Sequence, residues 1–135
     1  MNKINWILFG IIFLFFSIHL SYLNTPFVNH EIQYSKGSQY FLTQNPGLLN
    51  EYFRWQANPL TYSYISSIFV RIFGDNYASY RILSLLGGTL LLITLSKYKS
   101  WILILIVGLN PLIWIYSGRA HSELISVGLV FLALN

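Results

Sequence analysis

The sequence predicts an all-α bundle of membrane-spanning helices, with further short helices in a long first external loop. Of its 135 residues, 55% are hydrophobic and only 9% are charged, whereas a soluble domain is about 25% charged. This number of charges is too small to form the polar shell of a soluble protein. The composition therefore excludes disorder, a coiled coil and an ordinary soluble enzyme. The lack of cysteine excludes disulfides and thiolate metal sites.

Four apolar runs define the predicted helices of the bundle. The first, 4–23, is long enough at 1.5 Å per residue to cross a hydrocarbon core of about 30 Å. No small-x-small cleavage site follows it, which predicts an uncleaved signal anchor. Two more spans are predicted over 77–95 and 101–117, the latter with a kink at Asn110–Pro111. The run 124–135 is too short to cross and is predicted to be an incomplete span.

Residues 24–76 form the predicted external loop, which is polar and aromatic and is expected to lie on the membrane surface. Short helices are predicted within it over 30–43, 48–56 and 59–73. Asn58–Pro59 is the start signal of the third helix and Gly74 is its stop signal. At about 22 Å this third helix is too short for an easy crossing.

Basic residues orient the predicted spans, because segments rich in Lys and Arg remain in the cytoplasm. Lys3 and the lysines of 97–99 then share the cytoplasmic side, which requires 59–73 to remain on the outer face. The external loop and the polar segment 118–123 would both lie outside. In a rival topology 59–73 crosses, and Lys97 and Lys99 lie outside against the charge rule. The net charge of +4 is attributed to orientation and not to nucleic acid binding.

Charged side chains and imidazoles near the ends of the spans are the candidates for chemistry. Glu31 follows the first span, where a carboxylate can be a general base or only a solvated, helix-capping acid. Arg119, His121 and Glu123 follow a later span, a depth at which charges often mark a site. They could instead anchor the chain at the membrane–water interface. Arg119 and Glu123 could also form an ion pair, because they lie four residues apart. Arg81 is either a head-group anchor or a phosphate contact.

The sequence predicts no metal centre and no nucleotide-binding loop. Its three histidines lack the spacing of a metal site. Gly87–Gly88 lies within an apolar helix, which indicates close helix packing and not a phosphate loop. No cofactor is therefore predicted, and use of a divalent metal ion is left open.

An ordered series of short motifs extends along the chain. They are Asn29-His30-Glu31, Asn58-Pro59-Leu60, Arg71-Ile72-Phe73-Gly74, Ala78-Ser79-Tyr80-Arg81-Ile82-Leu83-Ser84, Asn110-Pro111 and Arg119-Ala120-His121-Ser122-Glu123. In this order they resemble the N-terminal part of GT-C glycosyltransferases, especially the protein-mannosyltransferase and aminoarabinose-transferase group. The usual first acid of that family aligns with His30, and a basic or histidine position aligns near Asn58.

The resemblance implies a multi-pass enzyme of the bacterial inner membrane, with this chain as its opening portion. Such enzymes transfer a sugar from a polyprenyl-phosphate donor to a lipid, glycan or protein acceptor, with inversion at the anomeric carbon. The resemblance implies that Glu31 is the base or the acid that orients the acceptor, assisted by His30. Contacts with the phosphate, the sugar or the acceptor are expected from Arg81, Arg119, His121, Glu123 and Asn58.

Two other classes of function remain open. One is a non-catalytic small membrane protein or an inactive, truncated transferase subunit, which His30 in place of an acid would favour. The other is a small channel or transporter, which would place charges inside the spans and facing a pore. Most charges here lie at the ends of the spans, which favours the transferase over the channel.

Overall fold

The computed structural model describes residues 3–28, 30–55, 60–98 and 100–134, and every regular element within them is an α-helix. The all-α part of the prediction is therefore confirmed. The helices are α1 (Lys3–Tyr22), α2 (His30–Thr43), α3 (Pro46–Trp55), α4 (Thr61–Phe73), α5 (Tyr77–Ser96), α6 (Trp101–Gly108), α7 (Pro111–Ser117) and α8 (Glu123–Ala133).

Local sequence signals explain where several helices begin and end. Gly74 follows α4 with φ of 88°, a left-handed conformation that favours glycine, so the predicted stop signal is confirmed. The Asn76 side chain caps α5 by accepting a hydrogen bond from the Ser79 N–H at 3.0 Å. The predicted start signal Asn58–Pro59 lies outside the described residues.

The predicted span over 101–117 is two helices, because α6 ends at Gly108 and α7 begins at Pro111. Proline has no N–H to donate to the preceding turn, and its ring displaces the carbonyl that would accept. The Asn110 side chain accepts from the Leu112 N–H at 2.9 Å and so starts a new helix at this point. The predicted kink is thus a complete break in the helix.

Two helices within the described residues are long and apolar enough to cross a membrane, namely Asn5–Tyr22 of α1 and all of α5. Both coincide with predicted spans. The apolar helix α8 is shorter than a span. Most of α1 is exposed in this chain, and its exposed large apolar side chains are Trp6, Phe9, Phe13, Leu14, Ile18, Leu20 and Tyr22.

Helix α5 is the centre of the fold, since α1, α4, α6, α7 and α8 all pack against it. Gly87 allows α8 to approach closely, because a Cβ at this position would lie 2.5 Å from the backbone nitrogen of Ile125. Gly128 on α8 is equally close, with its Cβ position 2.9 Å from the Gly87 carbonyl oxygen. The close helix packing predicted for Gly87–Gly88 is confirmed.

Two of the three core clusters in the described residues distinguish a bundle from a cap. The bundle core between α1, α5 and α6 is mainly aliphatic, with Phe15, Leu92 and Ile104 fully buried. The helices α2, α3 and α4 pack together and reach the bundle through α4. Their core is rich in buried tyrosines, which are Tyr34, Tyr52, Tyr62 and Tyr80. The polar groups described below lie where this cap meets the end of the bundle.

The glycine contact between α5 and α8 gives a direct test of the packing. We expect Gly87→Ala to destabilise the protein by about 1–3 kcal/mol, since its Cβ would overlap the α8 backbone. The control is Gly10→Ala on α1, where a Cβ meets nothing within 4 Å. The free energy of unfolding in detergent measures both variants, and equal stability of the two would contradict the packing.

Candidate functional site

Glu31 and Arg81 form an ion pair that is almost completely removed from solvent. The side chain of Glu31 is 0% exposed and that of Arg81 is 2% exposed. Two parallel hydrogen bonds join them, from Nε to Oε1 at 2.8 Å and from Nη2 to Oε2 at 2.9 Å. This two-point geometry matches a planar guanidinium to a planar carboxylate, and it is the strongest form of such a contact.

The remaining hydrogen-bonding groups of the pair are also occupied. Oε1 of Glu31 accepts from the Ala120 N–H at 2.9 Å, and Oε2 accepts from the Val28 N–H at 3.1 Å. The guanidinium donates to the carbonyl oxygens of Tyr22, Leu23, Thr25 and Pro26. The pair therefore joins the end of α1, the start of α2, the first turns of α5 and the turn after α7.

These contacts set the charge state of Glu31. Burial alone would raise the pKa of the carboxyl group. The hydrogen bonds from Arg81, Ala120 and Val28, together with the charge of Arg81, lower this pKa by more than burial raises it. The net effect is a pKa below the usual 4.5, so Glu31 is ionised at neutral pH. Such a carboxylate is a weak base, and its oxygens are already in use.

Glu31 as a base and Arg81 as a phosphate contact could therefore act only if bonds within the chain opened first. Glu31 could accept a proton from an alcohol only if a hydrogen bond to Arg81, Val28 or Ala120 opened first. Arg81 could contact a phosphate only by giving up a bond within the chain. The base role of Glu31 and the phosphate contact of Arg81 remain predictions, while the geometry itself makes both residues structural anchors.

The turn between α7 and α8 is held to this pair and to α5. Besides the bond from Ala120 to Glu31, the His121 N–H donates to Ser84 Oγ at 2.9 Å, and Ser84 Oγ donates to the His121 carbonyl oxygen at 2.7 Å. Tyr62 Oη lies 2.8 Å from the same serine oxygen. The contact of Ser84 with this turn was not predicted from the sequence. Its position three residues after Arg81 places both residues on one face of α5.

An imidazole cluster, which we define as His30, His121 and Glu123, lies beside this turn. The ring centres of His30 and His121 are 6.3 Å apart. His121 Nδ1 lies 3.4 Å from Glu123 Oε2, and this nitrogen is enclosed without a hydrogen-bond partner. Burial lowers the pKa of His121 despite the charge of Glu123, so the ring is neutral at pH 7. Glu31 of the predicted external loop and the polar segment after α7 therefore lie together, joined by the bond from the Ala120 N–H.

A cavity of about 390 Å³ also borders this turn, and we call it the Arg119 cavity. Its apolar walls come from α1 and α7, and its polar side includes Arg119, the ion pair and the segment 25–28. Among the described residues, the half-buried guanidinium of Arg119 has no hydrogen-bond or ion-pair partner. The i, i+4 pair of Arg119 with Glu123 does not form, because α8 begins only at Glu123.

His19 of α1 also lines the Arg119 cavity, and its two ring nitrogens both face carbonyl oxygens. Nδ1 lies 2.6 Å from the Phe15 oxygen and Nε2 lies 2.8 Å from the Trp114 oxygen. The His19 side chain therefore connects α1 to the backbone of α7 beside the cavity.

The structure thus brings five of the seven predicted site residues together around the turn between α7 and α8, namely His30, Glu31, Arg119, His121 and Glu123. The sixth, Arg81, joins them through Glu31. Asn58 lies outside the described residues. Within the described part of the chain, no group of three or more His, Asp or Glu side chains could hold a metal ion.

Removal of Arg81 tests whether the ion pair is the anchor of this region. Arg81→Met leaves a buried carboxylate without its counter-charge, and we expect a loss of about 3–5 kcal/mol in the free energy of unfolding. The double variant Glu31→Gln with Arg81→Met should recover part of that loss, since the unpaired charge is gone.

The exposed pair of Lys36 and Glu51 provides the control for this measurement. Its atoms lie 3.2 Å apart with the side chains 33% and 59% exposed, so Lys36→Met should cost less than about 1 kcal/mol. Denaturant unfolding in detergent gives all three values. Equal losses for Arg81→Met and Lys36→Met would refute the anchor role.

Comparisons of this chain with protein-family models, curated proteins and solved structures find no match. The resemblance to GT-C glycosyltransferases therefore depends on the short motifs in the sequence. Two features of the structure are the candidates for chemistry, the Arg119 cavity and the imidazole cluster.

Proposed function

We propose that this chain carries the lipid-phosphate end of a membrane glycosyltransferase site. The reaction moves a sugar from a polyprenyl-phosphate donor to a lipid, glycan or protein acceptor at the outer face of the membrane. The observation that carries the proposal is the Arg119 cavity, where an unpaired cation lies beside apolar walls.

The cavity suits a ligand with an anionic head and an apolar chain. Ile18, Tyr22 and Ile115 line it and are 40%, 60% and 47% exposed, so its apolar wall continues onto the outer surface of α1 and α7. Arg119 supplies a positive charge that no described residue neutralises, and a guanidinium binds phosphate well. A polyprenyl phosphate would place its phosphate beside the Arg119 charge and its hydrocarbon chain against the apolar wall along α1.

The surroundings support a membrane location for this site. The exposed aromatic and aliphatic surface of α1 would be unfavourable in water, since large exposed apolar patches mark membrane or protein contacts. The ends of α1 and α7 and the start of α5 lie together at the Arg119 cavity. With Lys97 at the opposite end of α5, the positive-inside rule puts the cavity on the outer side.

Each group has a definable task in this reaction. Arg119 stabilises the negative charge that collects on the leaving phosphate. Glu31 and Arg81 act as positioning residues, because they hold the turn that carries Arg119 and His121. His30, His121 and Glu123 present polar groups to the acceptor hydroxyl.

The proposal is tested with the full chain in membranes and a panel of polyprenyl phosphates that carry radiolabelled hexoses or pentoses. We expect the wild type to transfer label and Arg119→Gln to raise the KM for the donor about 10- to 100-fold. A hydrogen bond to a charged group contributes about 1.5–3 kcal/mol, and each 1.4 kcal/mol is a factor of ten.

Arg71→Gln is the matched control, since Arg71 is an exposed cation on α4 and does not line the cavity. It should leave the KM for the donor unchanged. Equal effects of the two substitutions would count against a phosphate site at Arg119. Donor binding without any transfer would favour the alternative of a non-catalytic membrane protein.

Reporter fusions test the orientation that the proposal requires. A reporter that is active only outside the cytoplasm should be inactive when fused after Lys99 and active when fused after Arg119. The reverse pattern would place the cavity on the cytoplasmic side and remove the outer-face assignment.

A further inference from the structure

We propose that His121 is the group that takes the proton from the acceptor hydroxyl, with Glu123 as the carboxylate that supports it. This inference rests on the proposed function, since it assigns the proton acceptor of that same reaction. The sequence pointed to Glu31 for this task, and the geometry points to a different residue.

The first argument is the position of the His121 ring. Its side chain is 11% exposed, and Nδ1 is enclosed with no hydrogen-bond partner. Buried polar atoms without partners are rare, because each costs the free energy of its lost hydration. Of the two ring nitrogens only Nδ1 is enclosed in this way, so Nε2 is the nitrogen that remains for a substrate.

The second argument is the carboxylate beside the enclosed nitrogen. Glu123 Oε2 lies 3.4 Å from Nδ1, within ion-pair range, although the hydrogen-bond geometry is not met in the free protein. Catalytic hydrogen bonds are often long before substrate binds. A carboxylate at Nδ1 favours the tautomer with its proton there, so the lone pair is on Nε2 and can accept a proton.

The third argument is the set of charges around the ring. Glu123 and Glu31 favour the protonated form, whereas His30 and Arg119 oppose it. The rings of Tyr34 and Tyr116 pack beside His121, with centres 5.8 Å and 5.4 Å away. Burial outweighs the two carboxylates and lowers the pKa of His121. The imidazole is therefore neutral at pH 7, as a proton acceptor must be.

The backbone of His121 is fixed more firmly than that of an ordinary loop residue. Its N–H and carbonyl oxygen both bond to Ser84 Oγ, and the preceding N–H bonds to Glu31. The backbone that carries the His121 side chain is thus held between α5 and the ion pair. Such support keeps a reacting group within a fraction of an ångström of its working position.

The chemical step balances without any other reagent. The acceptor O–H bond breaks and its proton goes to Nε2 of His121, while the oxygen forms a bond to the anomeric carbon. The bond from that carbon to the phosphate oxygen breaks, and its electron pair remains on the polyprenyl phosphate near Arg119. Glu123 stabilises the imidazolium, which then releases its proton to water.

Transfer from the polyprenyl-phosphate sugars, measured as a function of pH, tests this assignment. His121→Gln should lower kcat at least about 100-fold with little change in the KM for the donor, since a general base contributes about 10²–10⁴. It should also abolish the fall of kcat at acidic pH, because no imidazole then becomes protonated in that range.

Glu123→Gln gives a second readout that a purely structural role would not change. Since the Glu123 charge raises the pKa of His121, its removal should shift the acidic limb of the kcat profile to lower pH. Glu51→Gln is the matched control, because Glu51 is likewise an exposed carboxylate, at 59%, and should leave the profile unchanged. The comparison of Glu123→Gln with Glu51→Gln tests the role of His121 even if His121→Gln does not fold.

The outcomes separate this inference from the function on which it rests. Transfer by His121→Gln at the wild-type rate, or an acidic limb unmoved by Glu123→Gln, would overturn the role of His121 while leaving the transferase intact. A wild-type chain that transfers no sugar overturns both. Loss of kcat together with the shifted limb supports His121 as the base.

Discussion

Glu31 and Arg81 are two opposite charges buried together at the place where the cap meets the bundle. Taking two ions out of water costs several kcal/mol each, and attraction alone often fails to offset it. Here the cost is offset by hydrogen bonds, since both carboxylate oxygens accept two bonds each and the guanidinium donates to four carbonyls as well. The chain segments that supply these groups therefore have to meet at this point.

The Arg119 cavity and the imidazole cluster both depend on that junction. Ala120 donates to Glu31, and its two neighbours belong to the two candidate features, Arg119 to the Arg119 cavity and His121 to the imidazole cluster. Fixing one peptide group thus sets the separation of a cation and an imidazole. A transferase that must handle a leaving phosphate and an acceptor proton needs two such groups at a constant distance.

Much of the helical pattern could be predicted from local sequence. The apolar runs predicted α1 and α5, and the signal at Gly74 predicted where α4 ends. These features depend on neighbours within a few residues. The complete break at Pro111 was predicted only as a kink, because whether a proline bends or ends a helix depends on whether packing restores the lost bonds.

The sequence by itself determined the all-α class, the shortage of charge and the short list of polar residues that could do chemistry. Only the tertiary structure decided which of those residues contact each other, because the partner of Glu31 lies fifty positions away and that of Ala120 eighty-nine. Folding pairs Glu31 with Arg81, leaves Arg119 without a partner among the described residues and lowers the pKa of His121 through burial. Solvation and long-range contacts fix such properties, and neither can be read from residue types along the chain.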